Sequence, residues 1–128
     1  MPENTPETVA RKILIVDDDD DVSSTLAEML TASGYEVTTT FSGRQALGLT
    51  ESKRFAAIIL DLAMPGMGGI SVLHALRDRG DQTPVVVLSA YLGMMDKDKI
   101  RELGARAVLD KPSGADEITA VLAEITGD

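Results

Sequence analysis

Runs of β-branched and aliphatic residues recur five times along this chain, each followed by a helical pattern, and that alternation constrains the fold more than any other feature. The runs are read at 13–16, 36–41, 56–60, 84–88 and 106–109. Most are apolar throughout instead of alternating with polar residues, as in strands covered on both faces. Between them, Val22, Leu26, Met29 and Leu30 share one helical face that Ser33 and Gly34 would end, and Ser42 and Gln45 have capping-box spacing for a helix through Ser52. Ile70, Leu73 and Leu76 begin a third helix that Gly80 stops. A fourth is read at 97–103 on a thin apolar face, and a fifth carries Ile118, Val121, Leu122 and Ile125. Strand–helix alternation with right-handed crossovers predicts an α/β fold, a five-stranded doubly wound parallel sheet with helices on both faces.

At 128 residues the chain makes one domain with a single core, read at 11–126 behind a polar, disordered lead-in at 1–10. No apolar run approaches the roughly 20 residues of a membrane helix. The absence of cysteine excludes disulfides, thiolate metal sites and cysteine nucleophiles, and fits a cytoplasmic location. A net charge of −9 argues against nucleic acid as a direct partner, since a phosphate backbone needs a cationic face.

In doubly wound sheets, ligands bind beyond the carboxyl ends of the strands. The residues placed there are Asp17 and Asp18 after the first strand, Asp61 after the third, Ser89 after the fourth and Lys111 after the fifth. Taken singly, each has a plainer reading: an aspartate is a helix N-cap, Ser89 a loop hydroxyl, Lys111 a surface lysine. Asp19, Asp20 and Asp21 fit that plainer role at the first turn of a helix. Together the set is harder to dismiss. Carboxylates about 5 Å apart at an effective dielectric near 20 repel by about 3 kcal/mol per pair, which a cation among them would offset. Oxygen donors without His or Cys point to Mg²⁺, or Mn²⁺, and not to zinc. One carboxylate is then left to attack phosphorus, while a lysine and a hydroxyl contact the phosphoryl oxygens.

Four segments carry a resemblance: KILIVDDD at 12–19, IILDLAMPG at 58–66, VVVLSA at 85–90 and LDKP at 109–112. In order and spacing they resemble the blocks of response-regulator receiver domains, over nearly the whole chain. The resemblance implies a flavodoxin-like (βα)5 sheet of strand order 2-1-3-4-5. It implies Asp61 as phosphoacceptor, with Asp17, Asp18, Asp61 and the backbone carbonyl of Ala63 around Mg²⁺. Ser89 and Lys111 would contact the phosphoryl group, and the Lys111–Pro112 bond would often be cis in the family. It further implies a phosphorylation-activated switch and not an enzyme on other substrates. Its partners would be a histidine kinase or histidine phosphotransfer protein and a protein target on the α4-β5-α5 face, with a monomer or a phosphorylation-promoted dimer.

One position departs from the family pattern, and two others bear on the lifetime of the phosphoryl group. Val108 stands where many receivers carry an inward-turning Tyr or Phe, either as a packing substitution or as a change in output coupling. Ala63 and Tyr91 flank the phosphoryl position, one with no group to orient a water and one able to obstruct it, which predicts slow autodephosphorylation. Met64, Met67, Met94 and Met95 ring the same edge as gap-fillers or as an adaptable surface, and His74 lies mid-helix away from it. A rival class is a Mg²⁺-dependent phosphatase of haloacid-dehalogenase type, suggested by the spacing of Asp19 and Asp21. That family's nucleophile follows its first strand, however, and no segment supplies its cap. A flavin carrier is disfavoured because the aspartates at 17–21 would repel a flavin phosphate. The sequence reaches only a few residues past the last helix, so it reads as a stand-alone receiver or as a piece of a larger regulator.

Overall fold

The computed structural model describes residues 11–62, 68–89, 97–110 and 115–126, without the side chains of Ser89 and Ala115. Five strands alternate with five helices: β1 (Lys12–Val16), α1 (Asp20–Ala32), β2 (Glu36–Thr40), α2 (Gly43–Ser52), β3 (Ala57–Leu60), α3 (Gly69–Asp78), β4 (Val85–Ser89), α4 (Lys97–Glu102), β5 (Ala107–Asp110) and α5 (Ala115–Thr126). They form one parallel sheet in the order β2-β1-β3-β4-β5. Both the architecture and the strand order agree with the expectation. Boundaries move by about one residue, and one shift matters: Ser89 is the last residue of β4, paired with Asp110, and does not lie past the strand.

The period-2 alternation of each strand divides its side chains between two apolar clusters. Leu14, Val16, Ile58, Leu60, Val85, Val87 and Val108 face one side, where Ala46 of α2, Val72, Leu73 and Leu76 of α3 and Ile100 of α4 pack. Ile13, Ile15, Ala57, Ile59, Val86 and Leu88 face the other, against Leu26 and Leu30 of α1 and Ile118 and Leu122 of α5. Burying each such aliphatic side chain contributes about 1.5–3 kcal/mol before entropy is counted. Continuous apolar strands at the sheet centre are therefore what a two-sided core requires. β2, at the edge, is less buried and accordingly carries threonines.

Local chemistry sets the helix ends. The Asp19 carboxylate caps α1 by accepting from the Val22 N–H at 3.2 Å, and Ser42 caps α2 by accepting from the Gln45 N–H at 3.1 Å. Gly34, at φ +98°, takes the left-handed turn after α1 that a side chain would resist. At the amino edge, the Arg77 guanidinium donates to the carbonyls of Asp81, Thr83 and Gly104 at 2.5, 3.3 and 2.7 Å, joining α3, β4 and the turn before β5.

Candidate functional site

At the carboxyl edge the first and third strands, neighbours in the sheet, end together. Asp17 and Asp18 follow β1 and Asp61 follows β3, and one carboxylate oxygen from each lies within 4.8 Å of the others. Asp17 and Asp61 are buried, at 4% and 6% exposure, while Asp18 is exposed. The predicted triad of carboxylates is thus brought together at the ends of two neighbouring strands. Its two inner members sit where water screens their repulsion least.

The backbone around Asp17 is fixed on three sides. Its N–H donates to the Thr40 carbonyl at 3.1 Å, and its carbonyl accepts from the Ser23 hydroxyl at 3.3 Å. Its Oδ1 accepts from the Asp19 N–H at 2.9 Å. Thr40 is itself held, its hydroxyl donating to Gln45 Oε1 at 2.7 Å. Asp61 is anchored by its own N–H to the Val16 carbonyl at 2.9 Å. Gly69 packs directly on its main chain: a Cβ at position 69 would collide with the Asp61 carbonyl and lie 2.7 Å from Leu62 Cα.

Ser23, Thr40 and Gly69 were not among the residues singled out from the sequence. Ser23 left a readable signal, because it stands three residues before Leu26 and seven before Leu30 on the buried face of α1. A hydroxyl on that face needs a hydrogen-bond partner. Gly69 reads only as loop punctuation until its contact with Asp61 is known. Ser89 ends β4 opposite Asp110. Lys111, Pro112, Ala63, Tyr91, Met64, Met67, Met94 and Met95 lie outside the described residues. Asp19, Asp20 and Asp21 do what the plainer reading expects, as cap and acidic first turn of α1.

An all-oxygen cluster with two buried carboxylates suits a hard divalent cation, with no imidazole or thiolate among the donors. The family model for the response regulator receiver domain matches residues 13–123. The chain belongs to this family. Among curated proteins, the receiver is 41% identical over 109 residues to the transcriptional regulatory protein PrrA of Mycobacterium tuberculosis. That match covers 85% of this chain and 47% of PrrA, so the chain spans about half the length of the curated relative. Among solved structures, the receiver domain of Francisella response regulator 1452 superposes with a TM-score of 0.87 at 30% identity, covering 91% of this chain and 97% of that one. The receiver domain of sensor histidine kinase PA1611 from Pseudomonas aeruginosa gives 0.84 at 28% identity, with 92% and 98% covered, and has a magnesium ion coordinated in its active-site cleft.

Val108 is only 4% exposed, in the same apolar cluster as Ile100 of α4 and Val87 of β4. His74 is exposed on α3, away from the carboxylates. Among the described residues, no helix is long and apolar enough to cross a membrane.

Proposed function

We propose that this receiver is a phosphorylation switch in which Asp61 accepts a phosphoryl group from the phosphohistidine of a histidine kinase or a histidine phosphotransfer protein. The observation that carries this reading is a buried Asp61 whose carboxylate shares a 4.8 Å cluster with those of Asp17 and Asp18. A carboxylate oxygen of Asp61 forms the new bond to phosphorus as the bond to the donor's imidazole nitrogen breaks. The electron pair leaves with the imidazole.

Asp17, Asp18, Asp61 and the Ala63 carbonyl would hold Mg²⁺, or Mn²⁺. Bound there, the ion neutralises the carboxylates and the phosphoryl oxygens. The magnesium site of the PA1611 receiver supports this assignment. Lys111 supplies a point charge to a phosphoryl oxygen, and Ser89 donates a hydrogen bond to another. Ala63 and Tyr91 beside the phosphoryl group make its hydrolysis slow.

Phosphorylation adds up to about two negative charges at a buried position and shifts a two-state equilibrium. Near-complete switching needs about 5.5 kcal/mol of preference for the active state. The output surface is α4, β5 and α5, read by a protein target in the cytoplasm, with phosphorylation-promoted dimerisation one form of that output. With Val108 buried at the aromatic position, coupling runs through packing of β5 against Ile100 of α4 and not through a ring flip. The acidic balance of −9 keeps nucleic acid from being a direct partner of this domain.

Incubation with acetyl phosphate and Mg²⁺, followed by intact-mass measurement, tests the reading. The wild type is expected to gain one phosphoryl group and Asp61→Asn none. Multiple turnover of simple phosphomonoesters, unaffected by Asp61→Asn, would replace the switch with a phosphatase.

A further inference from the structure

Phe41 is the one large apolar side chain exposed among the described residues, at 48%. Its place in the sheet is informative. Val16 pairs with Thr40 in the β1–β2 register, and the Asp17 N–H donates to the Thr40 carbonyl at 3.1 Å. Phe41 therefore stands beside Asp17, about one strand spacing of 4.8 Å away, on the rim of the carboxylate cluster. A local role accounts for only part of the ring. Phe41 precedes the N-cap Ser42, where an apolar residue often staples onto the fourth helical position, here Ala46. Ala46 is fully buried in the apolar cluster of that face, whereas Phe41 belongs to neither cluster and leaves about half its surface in water.

We propose that Phe41 is a docking residue for the protein phosphodonor, resting on the reading of Asp61 as phosphoacceptor. A donor that delivers a phosphoryl group to a buried Asp61 has to cover the carboxyl edge, and among the described residues Phe41 is the large apolar side chain exposed there. Along the same edge, Asp19, Asp20 and Asp21 are exposed at the cap and first turn of α1. An apolar anchor on an edge with three further exposed carboxylates selects a face with an apolar contact and a Lys/Arg rim around its phosphohistidine. A small phosphodonor reaches Asp61 without touching Phe41, so the ring distinguishes one class of donor from the other.

The experiment compares wild type, Phe41→Ala and Phe41→Leu with two donors. One is acetyl phosphate with Mg²⁺. The other is the autophosphorylated histidine-kinase core that labels wild type fastest within a purified panel. Truncating an aromatic interface anchor weakens association by about tenfold or more. Phe41→Ala is expected to lower kcat/KM for kinase transfer by about that factor, with Phe41→Leu intermediate, while acetyl phosphate labels all three within about twofold. Equal kinase transfer to wild type and Phe41→Ala would overturn the proposal. So would a change confined to self-association in sedimentation, which would give the ring to a second copy of the chain. Acetyl phosphate labelling that survives Asp61→Asn would instead remove the phosphoacceptor reading beneath it.

Discussion

The hydroxyl of Ser23 donates at 3.3 Å to the main-chain carbonyl of Asp17, and both residues are buried. The bond joins the buried face of α1 to the end of β1, so the helix that covers the core also fixes the backbone carrying two of the three clustered carboxylates. Ser23→Ala leaves that carbonyl without the hydroxyl. A lost hydrogen bond of this kind costs about 1 kcal/mol of stability. Outer partners of metal ligands typically change affinity by about tenfold or more. Ser23→Ala is expected to weaken Mg²⁺ binding by several-fold to about tenfold in calorimetric titration. Unchanged Mg²⁺ affinity with a lowered denaturation midpoint would reduce Ser23 to a packing role.

Gly69→Ala tests how closely α3 approaches the phosphoacceptor strand. The added methyl meets the Asp61 carbonyl and Leu62 Cα, main-chain atoms that no rotamer change can move aside. Forced overpacking costs about 1–3 kcal/mol. The expected result is a loss of that size in chemical denaturation, with slower acetyl phosphate labelling because Asp61 is displaced. Gly48→Ala is the control, since a Cβ there meets nothing within 4 Å. It is expected to be neutral or stabilising in its helix.

What the sequence made legible, and what it did not, follows from which forces act locally. Ile13, Ile58 and Val86 announce buried strands because a two-sided core leaves no polar position in them. The strand ends follow from those strands, so the sequence alone points to Asp17, Asp18 and Asp61. Ser23 and Gly69 were not found, because their importance lies in contacts across elements: a hydroxyl reaching the end of β1, and a missing Cβ against β3. Ser89 was placed one residue too far along, since the end of a strand depends on pairing with Asp110 and not on hydrophobicity. Phe41 read simply as the end of the second strand, its exposure set by the start of α2.

Asp81, at the opposite edge, gives the fold an acid-sensitive point. Burial pushes its carboxyl up, but hydrogen bonds from the Thr83 hydroxyl at 2.6 Å and N–H at 2.9 Å, with Arg79 alongside, outweigh this and hold it below its ordinary value of 3.8. A depressed carboxyl stabilises the fold above its unfolded value and loses that contribution as pH falls through the lower folded one. Asp81→Asn is therefore expected to be less stable than wild type by a constant amount from about pH 5 to 8. The gap narrows as pH falls below 3.8. Urea denaturation of both proteins across that range checks it, and a gap that widens in acid would contradict the assignment.

In the proposed switch the aspartate that follows β3, Asp61, takes the phosphoryl group. Borohydride reduction converts an aspartyl phosphate to homoserine, so peptide mapping after acetyl phosphate and Mg²⁺ treatment reads the position directly. Homoserine at position 61, lost when Mg²⁺ is chelated, is the predicted result. Homoserine at position 17 or 18, or none at 61 in a protein that has gained phosphoryl mass, would contradict it.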